Sequence, residues 1–341
     1  MSPQEKTQTS PRKVRMEEVA KVAGVSVATV SRALRTPDAV SPKLRTRIEE
    51  VSQRLGYAPN RIAGSLAGAR SPLIGVIVPS LTNSFFAGTL DQMTTLFEAS
   101  GYQLMIGQHG YDTDREERIV AAFASWNPSA LIVTGRRHAR GTLATLSAAA
   151  CPVVEMWDHG ERPLDSGIGF SNRAAGELAA RYFVEQGLIR TAFVGATLDK
   201  DDRARARAEG FKDTFRGLTG LEPLILPAGS RELGEGGAAL KRVIARQPEI
   251  QAIAFSGDML AVGAMFEADR MGLSIPGELK ILGYGDLEIA RHTNPRLTTI
   301  RPPHKEIGEA VVRHVLERLK TPDTPSVNLD LGVKLILRET V

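Results

Sequence analysis

The sequence predicts an α/β protein carrying a small helical head: three short helices, then two doubly wound parallel-sheet subdomains in succession. Three observations lead there. Apolar residues in the first 56 positions recur at helical spacing. From Leu73 onward, short apolar strands alternate with helical stretches, the pattern of a parallel sheet. That alternation restarts after Gly167-Ile168-Gly169, so one such subdomain follows another. The length of 341 residues fits about two or more folded units.

The elements follow in order. Residues 1–13 are a polar tail expected to be disordered, and 14–58 form the head. Val14 to Ala23 reads as a helix through Val14, Val19 and Ala23, and Gly24 breaks it. Ser26 caps a second helix, Val27 to Leu34, whose Val27, Val30 and Leu34 share one side. Ser41-Pro42, a cap and a first-turn proline, opens a third helix with Leu44, Ile48, Val51 and Leu55 on one face, ending at Gly56. Residues 59–71, including the weak helix former RIAGSLAG, read as a linker. The body spans 72–341: a first subdomain of about 72–168 and 300–326, and a second of about 169–299 and 327–341. The carboxyl ends of their strands are expected to face a cleft.

Composition excludes several classes. Apolar residues at 42% and charged residues at 24% exclude global disorder, and 5% aromatics imply an aliphatic core. Apolar runs such as Leu73 to Val78 fall far short of the ~20 residues of a membrane helix, so no membrane span is expected. The tail MSPQEKTQTSPRKVR lacks the apolar core of an export signal, which predicts a cytoplasmic location. The single cysteine, Cys151, allows neither an intramolecular disulfide nor a zinc site, and reads as a buried strand residue.

Charge is uneven. Residues 1–70 hold 13 Lys or Arg against 6 Asp or Glu, while the remaining residues hold 30 against 33. A basic head on a near-neutral body predicts a polyanion partner for the head alone. A helix, a glycine turn and a second helix in a basic segment meet the requirement for reading a major groove, although an ordinary helical subdomain shares that spacing.

The string VRMEEVAKVAGVSVATVSRALRTPDAVSPKLRTRIEEVSQRLGYAPNRIAGSLAG closely resembles the N-terminal signature of the lactose-repressor (LacI) family of bacterial transcription regulators. The resemblance continues to about residue 338 and implies a periplasmic-binding-protein-like type I body, a double-stranded operator DNA partner, a small-molecule effector and a homodimer. It places Val27 and Ala28 at the specificity positions, where only apolar contact or exclusion can discriminate, and Arg32 as the base-reading arginine. Ser26, Thr29, Ser31 and Asn60 fall at phosphate or register contacts. Leu66 matches the leucine that wedges into the minor groove from a hinge helix, which Gly64 here would weaken; packing on the head is the alternative for Leu66. The end VKLILRETV shows no leucine heptads, so a tetramerising tail is not expected.

In the body, VPSLTNSFFAG offers Ser80, Thr82, Asn83 and Phe86 as hydrogen-bond partners and an aromatic face after the first strand. The resemblance makes Arg207 the effector-binding arginine, with Arg203 four residues earlier on the same face, and Asp258 the sugar-hydroxyl aspartate, preceded here by Gly257 instead of asparagine. Trp157 either stacks on a ligand or fills the core. PSLTN, GYQ, SWNPSALIVTGRRH and PVVEMWD are most similar to the gluconate-repressor branch, which implies a sugar-acid effector such as gluconate or 2-ketogluconate. Its carboxylate calls for a guanidinium: Arg207 first, then Arg136 or Arg137, although an adjacent arginine pair in a loop also reads, more simply, as solvated surface. A neutral sugar or a purine, as inducer or corepressor, is the alternative within the family.

Catalysis finds no motif: there is no G-x-S-x-G, H-E-x-x-H or P-loop, and the six histidines are scattered. GEGGAA at Gly234 imitates a dinucleotide fingerprint without its third glycine or a clear preceding strand, so no cofactor is expected and a nicotinamide-dependent oxidoreductase is a remote alternative. An exported sugar-binding receptor is disfavoured by the basic head.

Overall fold

The computed structural model describes residues 14–35, 39–57 and 71–341. The chain divides into two compact units, 1–69 and 70–341. The expected tail, most of the linker, and with it Asn60, Gly64 and Leu66, lie outside the described residues.

The head is three helices, α1 (Met16–Ala23), α2 (Val27–Arg35) and α3 (Pro42–Leu55). Gly24 ends α1 at a φ of 67°, a left-handed conformation that turns the chain without a Cβ penalty. The Ser26 hydroxyl accepts the Thr29 backbone N–H at 3.1 Å and so caps α2. Val19, Ala20, Ala23, Val30, Ala33, Ile48 and Val51 close a small core. Val27, expected on the apolar side of α2, is 39% exposed instead; at the first turn it projects beyond the core that Val30 and Ala33 fill.

The body begins with β1 (Ser71–Val78), α4 (Ser84–Ala99), β2 (Gln103–Gln108), α5 (Thr113–Ala124), β3 (Pro128–Thr134), α6 (Arg140–Ser147), β4 (Val153–Met156) and β5 (Ser166–Gly169). The second run comprises α7 (Asn172–Glu185), β6 (Thr191–Ala196), α8 (Asp202–Thr219), β7 (Leu224–Ala228), α9 (Leu233–Arg246), β8 (Ala252–Phe255), α10 (Asp258–Arg270), β9 (Lys280–Tyr284) and β10 (Thr298–Arg301). The chain then returns through α11 (His304–Lys320) and β11 (Asn328–Asp330) to β12 (Lys334–Ile336).

Two six-stranded sheets result, ordered β11-β5-β4-β3-β1-β2 and β12-β10-β9-β8-β6-β7. All pairings are parallel except β12 on β10, which is antiparallel. β3 and β4 are buried throughout, as expected of parallel strands covered on both faces by helices. The sequence reading returns the chain to the second subdomain at residue 327. The pairing of β11 with β5 moves that crossing to between Asp330 and Lys334, because a three-residue edge strand carries too little pattern to assign from sequence.

Cys151 is half-buried in the bend before β4 and not inside a strand. GEGGAA lies inside α9, where Gly236 has a packing role: a Cβ there would stand 2.1 Å from the Leu260 carbonyl oxygen of α10. Among the described residues, no helix is long and apolar enough to cross a membrane.

Candidate functional site

The residues of α2 that the core leaves outside are Val27, Ala28 and Arg32, with Ser26 exposed just before them. They lie along the exposed side of the helix at its N-terminal half, the part of a second helix that enters a major groove. Thr29 and Ser31 are half-buried, and the Ser26 and Thr29 hydroxyls lie 2.8 Å apart. An exposed apolar pair next to an arginine has no packing function here, which is the signature of a surface kept for a partner.

In the body, side chains after the carboxyl ends of the strands converge on a cleft between the two sheets. The first subdomain supplies its aromatic wall. Asn83 caps α4 by accepting the Phe85 N–H at 3.2 Å and donates through Nδ2 to the Tyr111 hydroxyl at 3.4 Å. Phe86 and Trp157 pack edge to face with centroids 5.0 Å apart. Trp157 has a φ of 68°, a left-handed conformation that costs a bulky residue on the order of 1–3 kcal/mol. It is 2% exposed and lines the cleft, and its indole N–H has no partner among the described residues. The core reading of this residue describes its burial, and contact with a ligand stays a proposal.

The second subdomain supplies the cationic wall. α7 and α8 pack at backbone contact through two glycines: a Cβ on Gly176 would lie 1.9 Å from the Arg207 carbonyl oxygen, and one on Gly210 would lie 2.2 Å from that of Arg173. This approach sets Arg207 against Asn172, to whose Oδ1 it donates at 2.5 Å, and over the Tyr284 ring at 4.1 Å. The Arg207 Nε is buried without a partner among the described residues. Asp201 caps α8 through the Arg203 N–H at 3.1 Å and accepts from Arg231 at 2.7 Å. Burial alone would raise the Asp201 carboxyl, but Arg203, Arg207 and Arg231 outweigh it and hold the group below the usual carboxylate range. Burial pushes Asp158 up, partly offset by the Asn172 side chain. Three guanidiniums thus face two carboxylates, Asp201 held ionised and Asp158 pushed toward its neutral form, leaving a surplus of positive charge in a confined site.

Among the sequence-predicted effector residues, Asn83, Phe86, Trp157 and Arg207 line this part of the cleft, and Arg136 lines its continuation. Ser80 and Thr82 do not; their hydroxyls lie 3.1 Å apart and Ser80 Oγ accepts the Asn83 N–H, so they build the turn that presents Asn83. Asp258 does not line it either. It is fully buried, accepts the Thr299 hydroxyl at 2.6 Å and the Leu287 N–H at 2.7 Å, and braces the loop after β9. Its carboxyl is pushed up to about 6, by burial above all. Tyr111, Asp158, Asn172, Asp201, Arg231 and Tyr284 join the site unannounced; each follows or precedes a strand end, a position that signals a site only once the strand order is known. Among the described residues no group of His, Cys, Asp or Glu side chains is placed to hold a metal.

A helix-turn-helix head with an exposed reading face, joined in one chain to a two-subdomain ligand-binding body, defines a DNA-binding regulator controlled by a small molecule. Comparison with known proteins agrees. The profile of bacterial regulatory proteins, lacI family, matches residues 15–60, and that of the periplasmic binding protein-like domain matches residues 180–341. The chain is 33% identical over 332 residues to the HTH-type transcriptional regulator GntR of Pseudomonas aeruginosa, covering 95% of each, and 34% identical to the GntR of Escherichia coli K12, covering 94% of this chain and 96% of the relative. A LacI-family transcriptional regulator from Silicibacter pomeroyi superposes with a TM-score of 0.90 at 32% identity, covering 96% of this chain and 99% of that one. The lac repressor dimer bound to operator superposes with a TM-score of 0.81 at 25% identity, covering 96% and 99%. The protein belongs to the LacI family: it is a DNA-binding transcriptional regulator and not an enzyme.

Proposed function

We propose that the protein is a cytoplasmic homodimeric repressor of sugar-acid catabolism genes, released from its operator when a sugar acid such as gluconate or 2-ketogluconate fills the cleft. The observation that carries this reading is the gathering of three guanidiniums around Asp201: Arg231 at 2.7 Å and Arg203 at 3.6 Å from its carboxylate, with Arg207 held nearby on Asn172. A neutral sugar would leave that positive charge uncompensated, whereas a ligand carboxylate gains charge-assisted hydrogen bonds from it. Phe86 and Trp157 cover the apolar face of the carbon chain, and Asn83 and Tyr111 serve its hydroxyls. The GntR relatives and the regulator IdnR of Escherichia coli K12, 30% identical over 327 residues, are in accord with it.

On DNA, Arg32 reads a guanine while Val27 and Ala28 meet thymine methyls, and a two-fold dimer reads a near-palindromic site. Half-exposed Phe266 and Met271, on and just after α10, provide apolar surface for pairing. Asn60 and Leu66 take their phosphate and wedge roles from the resemblance alone. A ligand shifts the operator equilibrium only through its differential affinity for the two states, so gluconate must favour the subdomain arrangement that binds DNA less well.

The test is fluorescence anisotropy of the full-length protein on a duplex selected from random sequence. Millimolar gluconate is expected to release the wild type, and Arg32→Ala to weaken binding by about 1–3 kcal/mol at one base pair. Tighter DNA binding with gluconate would reverse the direction of the switch, and no response to any sugar acid would remove the ligand class.

A further inference from the structure

The cleft does not end at the three guanidiniums. Beyond Tyr111, Asp201 and Arg203, which line both parts, it opens into a compartment of about 330 Å³. We propose that the natural effector is a dianionic sugar acid, with its first carboxylate at Arg207 and Arg231 and a second anionic group at its far end in the compartment bounded by His109, Arg136 and Lys200. The proposal rests on the sugar-acid reading above and extends it to the charge of the ligand.

Three observations carry it. His109 lines the compartment, is buried to more than nine-tenths, and neither of its ring nitrogens has a partner among the described residues. A ligand anionic oxygen would accept from its N–H, and a ligand hydroxyl would donate to its other nitrogen. Burial, the largest influence on His109, holds it toward the neutral form, so it offers one donor and one acceptor.

Second, the cations outnumber their partners. The two parts together are lined by seven Arg or Lys and four Asp or Glu. Arg136 donates only to the Gly160 carbonyl, at 3.3 Å, and makes no ion pair among the described residues; Lys200 makes none either. Asp202 is shared by Arg137 at 2.9 Å and Arg205, and Asp158, which burial pushes up, is the carboxylate that feels the charge of Arg136. A monoanion held at Arg207 leaves this surplus unanswered.

Third, the loop bearing Arg136 is held in place from below. His138 is buried between Glu116 and Glu155, its Nδ1 2.9 Å from the one and its Nε2 3.7 Å from the other. A buried ionic clamp beneath a loop fixes where the loop's arginines stand, the rigidity that bidentate recognition of an oxyanion needs.

The experiment is calorimetric titration of the full-length protein with gluconate, glucarate and 6-phosphogluconate. At least one dianion is expected to bind about tenfold tighter than gluconate, and the tighter of the two identifies the distal group as carboxylate or phosphate. In the variant Lys200→Gln that advantage should shrink to about threefold, with gluconate affinity unchanged. Gluconate binding as tightly as both dianions would overturn this proposal and leave the sugar-acid reading standing. A dianion preference that survives Lys200→Gln undiminished would overturn the assignment to this compartment, and silence from all three ligands would overturn both readings.

Discussion

The two halves of the body share a fold and strand order but solve the problem of buried charge in opposite ways. Beside the first sheet, the centre is a cation: His138 between Glu116 and Glu155. Beside the second it is an anion: Asp286, 1% exposed at its side chain, receives Arg291 at 3.0 Å, Arg301 at 2.7 Å and Arg338. Hydrogen bonds from the three arginines outweigh burial and hold Asp286 below the usual carboxylate range, whereas the two glutamates outweigh burial and raise His138 to about 9. The cleft walls differ as well: Phe86, Tyr111 and Trp157 come from the first half, and Arg203, Arg207 and Arg231 from the second. A ligand with an apolar face and an anionic end therefore finds complementary surfaces only when it touches both halves, which couples binding to their relative position.

The contrast can be broken at the helix pair that aims the cationic wall. Gly176→Ala places a methyl group within the Arg207 carbonyl and should destabilise the second half by about 3 kcal/mol or more, read as a lower chemical denaturation midpoint. By contrast Gly217→Ala, on the exposed side of α8 near its end and meeting nothing within 4 Å, should stabilise slightly, by up to about 1 kcal/mol, because alanine favours the helix over glycine.

His138 sharpens the contrast through pH. Its folded value lies above the ordinary 6.5, so its contribution to stability is full below about pH 6.5 and is lost as pH rises through about 9. That contribution is on the order of 3 kcal/mol. The denaturation midpoint of the wild type should fall between pH 6.5 and 9.5, and that of His138→Gln should stay nearly flat. Equal slopes would show that the imidazolium is not the centre of the first half.

Arg207→Ala removes the guanidinium beside Asn172 and Tyr284 and should weaken gluconate by about 100-fold while leaving DNA binding without ligand intact. The smallest effect belongs to Asp258→Asn. Because Asp258 braces a loop and does not line the cleft, this variant should change gluconate affinity by less than about threefold. A loss as large as that of Arg207→Ala would return Asp258 to the ligand.

Much of this was legible in the chain. The strand-helix alternation and the glycine that ends α1 give the fold, because burial periodicity and turn chemistry are local. Phe86 and Trp157 were legible because each stands just past a strand, and Arg207 because the family resemblance marks its position. Arg231 and Asp201 were not, since they follow β7 and β6 and meet only because those two strands are sheet neighbours. Likewise Glu116, His138 and Glu155 come from α5, the loop after β3, and β4, and no spacing in the sequence joins them. Asp258 shows the same limit: a motif position indicates where a residue sits along the chain, while its bonds to Thr299 and Leu287 come from the packing of β10 and the loop after β9.

The central claim is that the cationic wall selects a sugar acid. Calorimetric titration of the full-length protein with gluconate, glucose and hypoxanthine under one buffer tests it most directly. The account predicts saturable heat from gluconate, abolished by Arg207→Ala, and none from the two neutral ligands. Saturable heat from glucose or hypoxanthine, with gluconate silent, would contradict it.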